Sequence, residues 1–280
     1  MLYTLITTVF WGVWGAFIEI PEKAGFPATL GYSVWALTMV PCAIAGLIIS
    51  KWKLDADPKS ILYGACIGFS GAGGQLILFE ALREGPAYIV FPVVSLSPVV
   101  TIIMSVTLLK ETASKKHWMG IALALIGILL LSYMQPATNT SASYRWLLLA
   151  ILVFLLWGIQ AYVMKLSNET MRAESIFFYM MLTAVLLIPV ALWMTNFNQE
   201  INWGFKGPYL AAMIQVLNAI GALSLVYAFR YGKAIIVAPA TALAPVITIV
   251  FSLLIYGVVP HPITLVGLCV AVIAIYCMAE

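Results

Sequence analysis

The chain has 280 residues, of which 63% are hydrophobic and only 9% charged, with a mean hydropathy of +1.04. Soluble domains are about 25% charged, so this composition excludes a soluble enzyme or a nucleic-acid-binding module and leaves a membrane protein. The formal net charge of +3 sits on lysines and arginines in short gaps between apolar runs and requires no nucleic-acid partner.

About 20 mostly apolar residues cross the hydrocarbon core, and the sequence predicts ten crossings. The runs are 2–20, 29–50, 61–82, 87–109, 117–134, 146–164, 173–195, 208–229, 234–256 and 262–279. The first contains Trp11, Trp14 and Glu19, lacks a basic start and a small-residue cleavage pattern, and reads as a retained span, not a signal peptide. The third carries Gly64, Gly68, Gly71 and Gly74, then Gln75, and ends near Glu80. The fourth holds Pro92 and Pro98 where one continuous helix would otherwise run. The sixth carries Trp157 and Gln160, the eighth Gln215, Asn218 and Tyr227, and the ninth Pro239 and Pro245. Cys42, Cys66, Cys269 and Cys277 fall within spans with no CxxC spacing, so neither a disulfide framework nor a zinc site is expected. No metal or cofactor is predicted.

Sliding the chain on itself by 147 positions aligns residues 81–105 with 228–252 at thirteen identities, among them Arg83 with Arg230, Pro92 with Pro239, Pro98 with Pro245 and Thr101 with Thr248. An offset of 146 pairs Trp11-Gly12 with Trp157-Gly158. The chain therefore reads as an all-α membrane protein of ten transmembrane helices in two five-helix repeats, 1–134 and 146–280, joined by a loop at 135–145. Five is odd, so the second repeat enters the bilayer from the opposite side. Lys and Arg concentrate in cytoplasmic loops. With the N-terminus inside, Lys51, Lys53, Lys59, Lys110, Lys115, Lys116, Lys165, Arg172, Arg230 and Lys233 lie inside against Lys23, Arg83, Arg145 and Lys206 outside. A multi-pass protein of the inner (cytoplasmic) membrane with both termini cytoplasmic is expected.

Inverted repeats with interrupted helices recur in secondary transporters, whose substrate sites lie near the bilayer midplane. Each proline frees the carbonyl four residues before it, here those of Tyr88, Val94, Ile235 and Thr241, with Ser95, Ser97, Thr101, Thr241 and Thr248 as local partners. Packing bends alone explain the prolines equally well.

The pattern Phe10-Trp11-Gly12, Ala81-Leu82 then Gly85-Pro86-Ala87, Pro92 and Pro98, Lys110-Glu111 and Gly120 resembles the EamA-like ten-helix members of the drug/metabolite transporter superfamily. The resemblance implies a secondary transporter that exports or imports metabolites, with a cavity formed by the first, third and fourth helix of each half. Two positions depart from it: Glu80 stands where the second copy keeps Tyr227, and no acidic residue follows helix nine, where Gly257 precedes Val258.

Candidate solute-binding residues are Trp14, Gln75, Ser95, Trp157, Gln160, Gln215, Asn218 and Thr241. Amides bury without charge, and indoles suit ligands with apolar bodies; interhelical hydrogen bonds and an interfacial aromatic belt are the structural alternatives. Glu19, Glu80 and Tyr227 are candidates for gating or proton coupling, because an ionisable group in a span faces a cavity or a partner. For Glu80 the alternative is a surface carboxylate paired with Arg83. The expected function is alternating-access transport of a small organic solute (an amino acid, sugar or nucleobase-like compound), with export the expected direction. A proton- or ion-coupled sugar-type uptake symporter is the rival. A membrane-embedded enzyme is disfavoured, since the spans hold no cluster of His, Asp or Cys. Partners expected are the solute, the lipid bilayer and protons as coupling ion, in a monomer or weak homodimer.

Overall fold

A computed structural model describes residues 1–133, 144–256 and 261–278. Most of the expected 135–145 loop and the segment after helix nine lie outside these residues. Among the described residues ten helical spans follow one another: α1 (Leu2–Lys23), α2 (Ala28–Ile49), α3 (Pro58–Glu84), α4 in two halves, α5 (Lys115–Leu131), α6 (Arg145–Ser167), α7 (Ala173–Trp193), α8 (Phe205–Tyr231), α9 in two halves, and α10 (Pro262–Met278). Local chemistry sets the ends. Asp57 accepts from the Lys59 and Ser60 amides with Pro58 at the first turn of α3, and Ser114 caps α5. Gly85 and Gly232, extended and followed by Pro86 and Lys233, stop α3 and α8 at equivalent repeat positions.

Both central helices break. Helix α4 divides at Leu96 into α4a (Ala87–Ser95) and α4b (Ser97–Thr107), and α9 at 242–244 into α9a (Ala234–Thr241) and α9b (Pro245–Tyr256). Each break directly precedes the second proline of its repeat, Pro98 or Pro245, whereas Pro92 and Pro239 sit inside α4a and α9a. Four of the five hydroxyls expected to serve the freed carbonyls bond other ones. Thr101 and Thr248 reach the other repeat, Ser95 bonds Phe91 O, and the Thr241 carbonyl takes the Ala244 amide at 3.1 Å.

Helix α3 widens to a π turn at Phe69–Gly73, within its glycine run. A Cβ at Gly64 would stand 2.4 Å from the Tyr179 ring and one at Gly68 1.8 Å from Thr183 Oγ1. Gly64 and Gly68 are therefore where α3 presses on α7, while Gly71 and Gly74 lie against Gln160 and Trp157 of α6. Lipid offers no hydrophobic drive between helices, so such close contacts carry association. The main core, with Met39, Ile67, Met164, Phe177 and Phe229 fully buried, joins α2, α3, α6, α7 and α8.

The pseudo-twofold relation is written in hydrogen bonds. Trp11 Nε1 donates to Asn218 O and Trp157 Nε1 to Gly71 O, both at 3.3 Å; Thr248 Oγ1 donates to Gly12 O and Thr101 Oγ1 to Gly158 O, both at 2.9 Å. Every member of one bond is the repeat mate of its counterpart in the other. So α1 packs on α8 and α9b as α6 packs on α3 and α4b.

One relation breaks the symmetry. At the face where α1 begins, here the amino-terminal face, α9a packs on α4b, α5 and α6. Among the described residues the mirror set, α4a on α9b, α10 and α1, is at most sparsely packed. Exposure agrees: Phe91 of α4a is 38% exposed while its mate Ala238 of α9a is 6%. Pro98 is buried and its mate Pro245 exposed. Among the described residues the central helices pack closely at the amino-terminal face and more loosely at the opposite one.

Candidate functional site

Two walls meet at mid-span. On the α1–α8 wall, Trp14 Nε1 donates to Gln215 Oε1 at 3.0 Å and Gln215 Nε2 to Gly31 O at 3.4 Å, with Gln215 buried. The Trp11 indole bonds backbone instead. Both indole N–H groups are thus held, and both rings are half-buried. On the α3–α6 wall, Trp157 is held on Gly71 O, and a Cβ at Gly71 would stand 2.2 Å from Gln160 Nε2. Gln75 lies one turn further along α3.

The amides divide by bonding. Gln215 is committed to Trp14 and α2. The side-chain amides of Gln75, Gln160 and Asn218 make no hydrogen bond among the described residues, yet none of their polar atoms is buried. An unpaired amide facing hydrocarbon is costly, so these three groups belong where water reaches. In repeat terms Gln160 is the mate of Trp14 and Asn218 that of Gly71, so the walls differ: two free amides and one indole on α3–α6, two indoles and one free amide on α1–α8. No charged side chain lies among them.

The remaining candidates flank this centre. Ser95 donates to Phe91 O at 2.6 Å and accepts from Ser132 at 3.1 Å; buried Thr241 donates to Val237 O at 2.9 Å. Both hydroxyls are spent beside the helix breaks. At the opposite face Glu80 stands 3.3 Å from Arg83 and 3.8 Å from Arg145, and Arg145 also pairs with Glu84. Glu19 pairs with Lys23 in the open. At the amino-terminal face the Tyr227 hydroxyl donates to Glu174, and the Tyr3 ring stacks on Tyr227 at 5.1 Å and on Tyr231 at 5.7 Å. The mates Glu80 and Tyr227 therefore lie at opposite faces, one in an ionic cluster and the other in an aromatic one.

Several polar residues escaped the sequence reading. Glu111, noted only as part of a motif, accepts two amides at the start of α9a. Lys165 closes the end of α8 through Phe229 O at 3.1 Å and Gly232 O at 2.8 Å. Asp55 ties the start of α3 to α7 through Arg172, at 3.1 Å, and the Ser175 hydroxyl. The lysine and arginine count placed Lys165 and Arg172 on one side but could not give their partners. The buried Trp35 Nε1 has no partner among the described residues, which sequence cannot show.

An all-helical bundle of two inverted five-helix repeats, broken at both central helices and carrying unpaired amides within its spans, defines a membrane transport protein. The chain belongs to the EamA-like transporter family, which it matches over residues 1–133 and 144–279, within the drug/metabolite transporter superfamily. It is 25% identical over 256 residues to Protein LicB of Haemophilus influenzae, covering 88% of this chain and 84% of LicB. An uncharacterized protein of Methanocaldococcus jannaschii, MJ1333.1, is 34% identical over 130 residues, 46% of this chain and 92% of its own. A shorter stretch of 81 residues, 29% of this chain and 73% of the relative, is 28% identical to a probable 4-amino-4-deoxy-L-arabinose-phosphoundecaprenol flippase subunit ArnE of Hamiltonella defensa. A solved crystal structure of a protein at 15% identity superposes with a TM-score of 0.82 over 100% of this chain and 98% of that one, a likeness of fold.

Proposed function

We propose that the chain is a secondary transporter that moves a small organic solute across the cytoplasmic membrane by alternating access of its two inverted halves. The observation that carries this reading is the one-sided closure of α4 against α9: exchanging the conformations of the two repeats converts it into closure at the other face. With the amino-terminal face assigned to the cytoplasm by the lysine and arginine count, the structure is the state open to the outside. Gln75, Gln160 and Asn218 supply hydrogen bonds to the solute, and Trp14 and Trp157 supply apolar walls, with Gln215 holding Trp14 in place. Ser95 and Thr241 support the breaks around which α4 and α9 bend. Glu80 and Tyr227 guard the two mouths, and Glu19 stands at the outer rim. One chain holds both halves of the cycle, so a monomer suffices. The cycle is reversible, and its net direction follows the solute gradient and any coupled proton.

The test is counterflow. Proteoliposomes loaded with one unlabelled solute from a panel of amino acids, sugars and nucleobases are diluted into the same labelled solute, with and without a pH gradient. A transient overshoot of label for one class supports the reading. Label entering at the rate of protein-free liposomes for every class, from protein shown to be folded, refutes it.

A further inference from the structure

The closure at the amino-terminal face has a polar latch that its counterpart cannot make. Glu111, just after α4b, accepts from the Ala234 and Ile235 amides at 3.0 Å each, one on each carboxylate oxygen. These are the first two N–H groups of α9a, which have no partner within the helix, and a carboxylate there is favoured by the helix dipole as well as by charge-assisted bonding. The turn presenting Glu111 is itself fixed, with the Glu111 amide on Ser105 O at 3.1 Å. Lys233 Nζ reaches back to Thr112 O at 2.6 Å, so the strap is tied in both directions.

The repeat relation gives this strap mates by sequence: Val258 for Glu111, Pro86 for Lys233, and Ala87 and Tyr88 for the two capped residues. Valine has no acceptor and proline no donor, and Gly257, Val259 and Pro260 supply no side-chain acceptor in their place. The ends of α4a and α9b therefore cannot be clasped in the same way. We infer that Glu111 is the positioning residue that holds the amino-terminal face shut through the start of α9a, and that its missing counterpart makes the state open at the opposite face the resting one. This rests on the alternating-access reading.

The test uses Phe91 and Ala238, repeat mates on the two half-helices of which the first is exposed and the second buried. The single substitutions Phe91→Cys and Ala238→Cys are placed in a full chain whose four native cysteines are alanine, reconstituted in nanodiscs, and their maleimide labelling rates measured. The thiol at position 91 is expected to react fast and the thiol at position 238 slowly. Glu111→Gln weakens the capping bonds; the rate at position 238 should rise about tenfold, the shift matching loss of one charge-assisted hydrogen bond, while that at position 91 falls. Lys233→Ala should move both rates in the same directions by less. A rate at position 238 unchanged within twofold overturns the latch, and a rise at both positions overturns it too, since that is loosening rather than exchange of faces. Counterflow in the same variants keeps the two readings apart: opposed labelling shifts without counterflow sink the transport proposal and leave the latch standing.

Discussion

Replacing Gly158 with alanine puts the repeat geometry to a quantitative test. The added Cβ would lie 2.4 Å from Val100 Cβ and 2.7 Å from Ser97 O, both on α4b. Neither is the free end of a flexible chain, so α6 must retreat by about 1 Å to reach the 3.4 Å at which contact becomes ordinary. That retreat lengthens the 2.9 Å bond from Thr101 Oγ1 to Gly158 O beyond hydrogen-bonding range. Overpacking costs about 1–3 kcal/mol and the bond about 0.5–1.5 kcal/mol, so the loss is roughly 2–4 kcal/mol. In detergent the melting temperature should fall by several degrees, at about 2–4 °C per kcal/mol. Gly12→Ala should match it, because its Cβ would meet Ile247 Cβ at 2.4 Å and Ala244 O at 2.9 Å. Gly73→Ala, with nothing within 4 Å, should be neutral or slightly stabilising through lower unfolded-state entropy. Equal melting temperatures for Gly158→Ala and Gly73→Ala would refute the claim that glycines set the α6–α4b and α1–α9b approach.

The amides should separate function from stability. Gln75→Leu, Gln160→Leu and Asn218→Leu remove groups without partners, so melting should hold or rise while counterflow falls at least about tenfold, the value of one lost hydrogen bond to solute; unchanged counterflow in all three removes them from the site. Gln215→Leu strips Trp14 and Gly31 of their partner and should lower stability by about 1–3 kcal/mol, read as a melting shift that the other three lack. Arg145→Gln frees Glu80 and Glu84 from a pair open to solvent, so its cost should stay within about 1 kcal/mol and shrink as salt rises; a large, salt-independent loss contradicts a surface lock. Hydrogen bonds from the Ser60 hydroxyl and amide hold the Asp57 carboxyl below its ordinary 3.8. A depressed carboxyl stabilises the fold above its unfolded pKa and stops doing so as pH falls through the folded value. The melting gap between wild type and Asp57→Ala should therefore be full at neutral pH and close below about pH 4; a gap that persists there removes the charge from the cap.

The sequence exposed what repeats and what is apolar. Ten runs, the paired prolines and the two Trp-Gly motifs sufficed for the span order and inversion, because both follow from composition and self-similarity. Span ends were short by up to three residues at α3, α6 and α8, where Pro58, Arg145, Ser167 and Tyr231 extend helices past the apolar stretch on caps and ion pairs. The site was half legible. Gln75, Gln160, Gln215 and Asn218 stood out as amides in hydrocarbon, yet which one is committed depends on Trp14 and Gly31, residues 201 and 184 positions away from Gln215. Glu111 looked like a loop residue because its partners are backbone amides, which leave no mark in the sequence. The open and closed faces were not legible: the difference lies in how the halves of the two repeats pack, which self-similarity of the sequence does not report.

The measurement closest to the central claim is a pair of distance distributions by double electron–electron resonance in nanodiscs, with spin labels across the opposite face at Phe91 and Val250 and across the amino-terminal face at Thr107 and Ile236. Both pairs span α4 and α9. Alternating access predicts that Glu111→Gln, and separately any solute that gives counterflow, moves population from long to short distances in the first pair and from short to long in the second. Distances that stay fixed in both pairs, or lengthen together, would contradict two halves exchanging roles around a central site.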